Sequence, residues 1–116
     1  MITYKTRLGE VSIAEEYFSK LIGQEVAACY GVASMIPKRS QRLREILSRK
    51  EVPDKGIYVR GDSAALLVDV HITVTYGVNI NTIAKSIMER VTYTVEHATG
   101  IDVKRVVVYV DGMKTA

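Results

Sequence analysis

The chain has 116 residues, 47% hydrophobic and 25% charged, the make-up of one globular domain rather than a disordered or fibrous chain. A single cysteine, Cys29, excludes an internal disulfide and a cysteine-based structural zinc site, and two histidines leave little for any other transition metal. The net charge is +3, yet residues 38–50 hold six basic residues and one acid against ten and twelve in the rest of the chain, so the whole positive excess lies in one segment.

The N-terminus, Met1-Ile2-Thr3-Tyr4-Lys5, lacks the apolar core of a signal peptide, and no apolar run approaches the ~20 residues that span a bilayer. A cytoplasmic chain is expected, held at the inner face of the membrane only through a partner. Gly9 to Ile13 reads as a short strand leading into a helix over residues 12–30. Ser12 followed by Glu15 has the spacing of a capping box, and Ala14, Phe18, Leu21, Ile22 and Cys29 recur with helical period. Gly31 stands where a left-handed terminator belongs, and Gly23 in mid-helix signals close packing.

Ile57 to Arg60 forms a strand, turned by Gly61-Asp62-Ser63 into a second. That second strand is marked by strict alternation: Leu66, Val68, Val70, Ile72, Val74 and Tyr76 on one face, Leu67, Asp69, His71, Thr73 and Thr75 on the other. Ile80, Ile83, Ala84, Ile87, Met88, Val91, Val95 and Ala98 then form one wide helical stripe, with Asn79 as N-cap and Gly100 just past the end. Val103 to Asp111 is the last strand, with Val106, Val108 and Val110 facing one way. The expected order is β-α-β-β-α-β. Two striped helices and one-faced strands pack most economically as an α+β two-layer sandwich, a mixed sheet of three to four strands with both helices on one face.

The ordered set of residues in GEVSIAEEYFSKLIGQEVAACYGVASM and VDVHITVTYGVNINTIAKSIMERVTYTVEHATGIDVKRVVVYVDGM resembles the bacterial alkaline-shock, or envelope-stress, family. The resemblance rests on the strand ending in Tyr76-Gly77, the helix carrying Val95-Glu96, the Thr99-Gly100 step and the Val-rich final strand, and it covers about two-thirds of the chain. It implies a bacterial cytoplasmic protein linked to envelope homeostasis, without an established reaction, catalytic residue or cofactor. Residues 36–55 depart from the family pattern in being basic and helix-prone.

Catalytic chemistry has a thin basis. Asp69 and His71 share the polar face of one strand, but a general base also needs a nucleophile or a metal. Cys29 fits a small buried hydrophobe, and His97 suits the negative field at a helix C-terminus. Gly31, Gly56, Gly61, Gly77, Gly100 and Gly112 fit turns and helix ends, not a phosphate-cradling loop. The expectation is therefore no enzyme, no cofactor, no metal and no small-molecule substrate.

Binding has more support. Lys38, Arg39, Arg42, Arg44, Arg49 and Lys50 can neutralise phosphates, while Tyr58, Arg60, Arg105 and Tyr109 are residue types that stack on and grip single strands. Leu43, Ile46 and Leu47 give residues 40–50 an apolar side that can meet an anionic membrane or dock on the domain itself. The leading expectation is protein–protein interaction, since helices on one side leave a sheet face open and Leu67, Val107 and Tyr109 add apolar area to it. The expected partners are a second copy of the chain and a membrane-anchored protein. Nucleic acid bound by the basic segment and the polar sheet face is the alternative.

Overall fold

The computed structural model describes residues 1–35, 56–61 and 65–115. The chain runs β1 (Ile2–Thr6), β2 (Gly9–Ile13), α1 (Glu15–Ala27), β3 (Val32–Met35), β4 (Ile57–Gly61), β5 (Leu66–Thr75), α2 (Ile80–Thr99) and β6 (Val103–Lys114). β5 is the spine of a four-stranded mixed sheet. On one side it pairs antiparallel with β4 through residues 66–70 and with β3 through residues 72–74, and on the other it pairs parallel with β6 along its whole length. β4 and β5 are the expected antiparallel neighbours, while Asp62 and Ser63 of the expected turn lie outside the described residues. β1 and β2 form a separate antiparallel hairpin.

The alternation of β5 explains the layering. Leu66, Val68, Val70, Ile72 and Val74 are buried beneath the helices, while the odd-numbered residues stay half-buried on the opposite face. Tyr76, expected to continue the buried face, stands past the end of the strand and is exposed. α1 packs Phe18, Ile22 and Val26 over β3 and β4, and α2 lies over β6 and against α1. The α2 stripe is narrower than its sequence suggests. Ile83, Ile87, Val91, Val95 and Thr99, each four residues apart, point inward, whereas Ile80, Met88 and Ala98 are exposed. Cys29 is buried, its Sγ donating to the Glu25 carbonyl, and Gly23 is buried on α1. Both helices thus cover one face of the sheet, the α+β sandwich expected from the pattern.

The N-terminal third departs from that expectation. Ser12 belongs to β2, and its hydroxyl meets Thr3 Oγ1 across the hairpin at 2.8 Å, so it caps no helix. α1 begins instead at Glu15 after an extended Ala14 whose carbonyl accepts the Tyr17 N–H, with Glu15 and Glu16 favoured by the positive helix end. α1 also ends early, at Ala27. Gly31, at φ +90°, terminates nothing; it turns the chain into β3, and its carbonyl accepts the Thr75 N–H. The last strand runs three residues further than expected, through Gly112, which therefore sits in a strand rather than a turn. Of its three inward valines only Val106 is buried; Val108 is half-buried and Val110 is 37% exposed.

The α2 termini follow the sequence closely. Asn79 Oδ1 accepts the Thr82 N–H at 3.1 Å, and Gly100 adopts φ 75° to close the helix. Beyond it, the buried Thr99 hydroxyl donates to the Val95 carbonyl and accepts the Ile101 N–H, while Glu96 Oε2 accepts the Val103 N–H at 2.9 Å. The Val95-Glu96 and Thr99-Gly100 signature is thus a staple joining the end of α2 to the start of β6.

Candidate functional site

The sheet face away from the two helices gathers side chains from three strands. Register places Tyr58 opposite Asp69 and Arg60 opposite Leu67 across β4 and β5. On the other side Leu67, Asp69 and His71 stand beside Arg105, Val107 and Tyr109. His71 is the centre of the group. Its ring stacks on Tyr109 at 4.5 Å and 11°, meets Tyr58 edge-on at 5.8 Å, and its Nδ1 lies 2.7 Å from Asp111 Oδ2. An aromatic row therefore runs Tyr58–His71–Tyr109 across the sheet.

Two irregularities in β6 shape this face. Between Leu66 and Leu67 the register skips Lys104, and between Ile72 and Thr73 it skips Asp111, as β-bulges do. The second bulge brings Asp111 to His71. The sequence places Asp69 two residues from His71 on the same strand, but successive same-face residues are ~7 Å apart while cross-strand neighbours are closer. Asp69 instead faces Arg60, with 3.9 Å between carboxylate and guanidinium.

An imidazole oriented by a carboxylate can act as a general base, but the chemistry needs an attacking group as well. The one cysteine is in the core beneath the opposite face. Among the described residues no cluster of three or more His, Cys, Asp or Glu is placed to hold a metal ion. A cavity of about 530 Å³ lies between Thr3, Tyr4 and Lys5 of β1 and Gly100 and Ile101. Another of about 270 Å³ is lined by Tyr30, Val78, Asn79, Thr82 and Ile83. Neither includes a residue of the aromatic row.

Charge on this face is mixed. Among the described residues Arg60, Arg105 and Lys114, the last beside Thr75, stand with Asp69 and Asp111, so this surface is by itself only a weak attractor of a polyanion. Tyr58 and Tyr109 are 53% and 42% exposed, and with Leu67 and Val107 they make the face half apolar. Of the binding residues expected from sequence, the structure thus brings together Tyr58, Arg60, Arg105 and Tyr109. Lys38, Arg39, Arg42, Arg44, Arg49 and Lys50, with the apolar side formed by Leu43, Ile46 and Leu47, lie outside the described residues. His97 stands at the end of α2 as expected, stacked on Tyr93 at 5.6 Å. Asp111 is the member of the cluster that strand alternation does not reveal, because its place depends on a bulge.

A model of the alkaline shock protein family, described as having a cell envelope-related function, matches residues 3–115. The chain is similar to the uncharacterized protein YloU of Bacillus subtilis (strain 168), 33% identical over 97% of this chain and 95% of that protein. It is 29% identical to the uncharacterized protein Spy1614 of Streptococcus pyogenes serotype M6, over 97% of this chain and 94% of the relative. A second B. subtilis protein, the uncharacterized YqhY, is 28% identical over 94% of this chain and 80% of its own length. No solved structure gives a significant match.

Proposed function

This chain belongs to the alkaline shock protein family, of cell envelope-related function, and from that premise we propose that it acts without catalysis, by binding a second copy of itself and a membrane-anchored protein at the cytoplasmic face of the envelope. The observation that carries this reading is the open sheet face, half apolar and aromatic. Such a face and the sheet edge beside it both gain from being covered, the one by the membrane-anchored partner and the other by a second copy, self-association being the commonest cover for a small domain. Among the described residues no helix is long and apolar enough to cross a membrane.

Light scattering on the purified chain from 1 to about 100 μM, a range that spans most specific oligomers, tests the first half of this reading. A mass of two or more copies within that range is expected. A single-chain mass throughout would sink it. Nucleic-acid binding competes through the basic residues 38–50, whereas the apolar and aromatic share of the sheet face favours a protein partner. Retention of the parent on heparin or single-stranded DNA at physiological salt would reverse that preference.

A further inference from the structure

We propose that the outer edge of β6 is the self-association surface, and that two copies join there antiparallel about Val108, with Arg105 of each facing Asp111 of the other. This rests on the self-association reading above, assigns the second copy to the sheet edge and its register, and leaves the open face to the other partner.

β6 pairs with β5 along one side only, and among the described residues no strand covers its outer edge. Unpaired N–H and C=O groups along a strand are a template for another strand, and natural edges are usually guarded by charge, proline or bulges. β6 has its guards at the ends. Lys104 and Asp111 sit at the two bulges, and between them Arg105 is followed by Val106, Val107, Val108, Tyr109 and Val110, five β-branched or aromatic residues without a charge or a proline. Tyr109 and Val110 are exposed. The unguarded stretch is therefore bounded, and long enough for one short ladder.

Symmetry then restricts the register. Opposed residues of antiparallel strands share a face, and a two-fold axis normal to the sheet keeps every residue on its own face. A residue must accordingly stand opposite its own copy at the axis. Centring on Tyr109 sets Lys104 against Lys114, two like charges. Centring on Val107 sets Arg105 against Tyr109 and leaves Asp111 opposite Val103. Centring on Val108 sets Arg105 opposite Asp111 twice, Val107 opposite Tyr109 on the open face, and Val106 opposite Val110 on the helix side. Only this last register brings opposite charges together, and it also covers the exposed Val110. The result is one continuous sheet through both copies, with all four helices on one side and the aromatic rows on the other.

Charge reversal tests the register. Arg105→Asp places two carboxylates at each contact, and Asp111→Arg places two guanidinium groups there. Each variant alone should dimerise at least about tenfold more weakly than the parent, since two cross-strand pairs pass from attraction to repulsion. An equimolar mixture of the two variants should associate more tightly than either alone, because pairing one with the other relieves the like-charge contacts. A parent dimer whose single variants associate unchanged would overturn this surface while leaving self-association standing. A mixture no tighter than its components would overturn the register, and a monomeric parent would overturn both proposals. Should a variant fail to fold, amide exchange in the parent decides instead. Slowing at Val106–Val110 with rising concentration supports the edge, and its absence in a dimeric sample refutes it.

Discussion

Replacing Gly31 by alanine tests how tightly the turn after α1 is pressed onto α2. At φ +90° an L-residue costs about 1–2 kcal/mol in backbone strain alone. The added Cβ would lie 2.5 Å from Ile83 Cδ1, 3.1 Å from Ile83 Cγ1 and 3.4 Å from Val78 Cγ1. Ile83 is buried, so its δ-methyl has little room to withdraw, and overpacking of this kind costs about 1–3 kcal/mol. The expected loss is roughly 2–5 kcal/mol, a fall in Tm on the order of 10 °C for a domain of this size. Urea unfolding of Gly31→Ala, Ile83→Val and the double variant separates the two contributions. Ile83→Val alone should cost about 0.5–1.5 kcal/mol, and in its presence Gly31→Ala should cost little more than the strain, because the clashing methyl is gone. Additivity of the two changes within about 0.5 kcal/mol, or a loss under about 1 kcal/mol for Gly31→Ala, would show that the turn does not press on Ile83.

Three further outcomes are expected. Asn79→Ala removes the side-chain acceptor of the Thr82 N–H and should lower stability by about 1 kcal/mol in urea unfolding, with Asn79→Ser largely restoring it. No hydrolase or transferase turnover is expected in either the parent or His71→Ala; an activity present in the parent and lost in this variant would refute the non-catalytic reading. Changing Arg42, Arg44 and Arg49 together to Glu should abolish binding to duplex DNA or to anionic vesicles if residues 38–50 contact phosphate, and change nothing otherwise. Leu43→Ser or Leu47→Ser should weaken only the vesicle binding.

The parts of the fold most legible in the sequence are those whose period is long. Ten alternating residues identify β5, and five core positions at intervals of four identify α2, with its asparagine and glycine at either end. Short elements offer no such signal. β3 has four residues, too few for alternation to register, and β1 is recognisable only through its pairing with β2, across a two-residue loop, Arg7-Leu8, that lacks the usual turn residues. Ser12 and Glu15 matched a capping box because the same hydroxyl serves equally well as a cross-hairpin partner, and only the presence of β1 decides between them. For the candidate site, Tyr58, Arg60 and Tyr109 could be assigned to the polar face from alternation, but their meeting around His71 depends on which strands neighbour β5. The Asp111 contact depends further on a bulge, which the local sequence does not announce.

The bond from the Val103 amide to Glu96 gives β6 a fixed starting mark. A parallel strand reached over a helix has no tight turn to count its residues, so its offset against β5 must be set elsewhere, and a slip of one residue exchanges the two faces. By holding the first residue of β6 to the last turn of α2, Glu96 determines which residues, six to eight positions on, lie beside His71. The carboxylate thus acts as the zero of a ruler laid along the sheet, and the arrangement of the exposed face is measured from a point beneath the opposite layer.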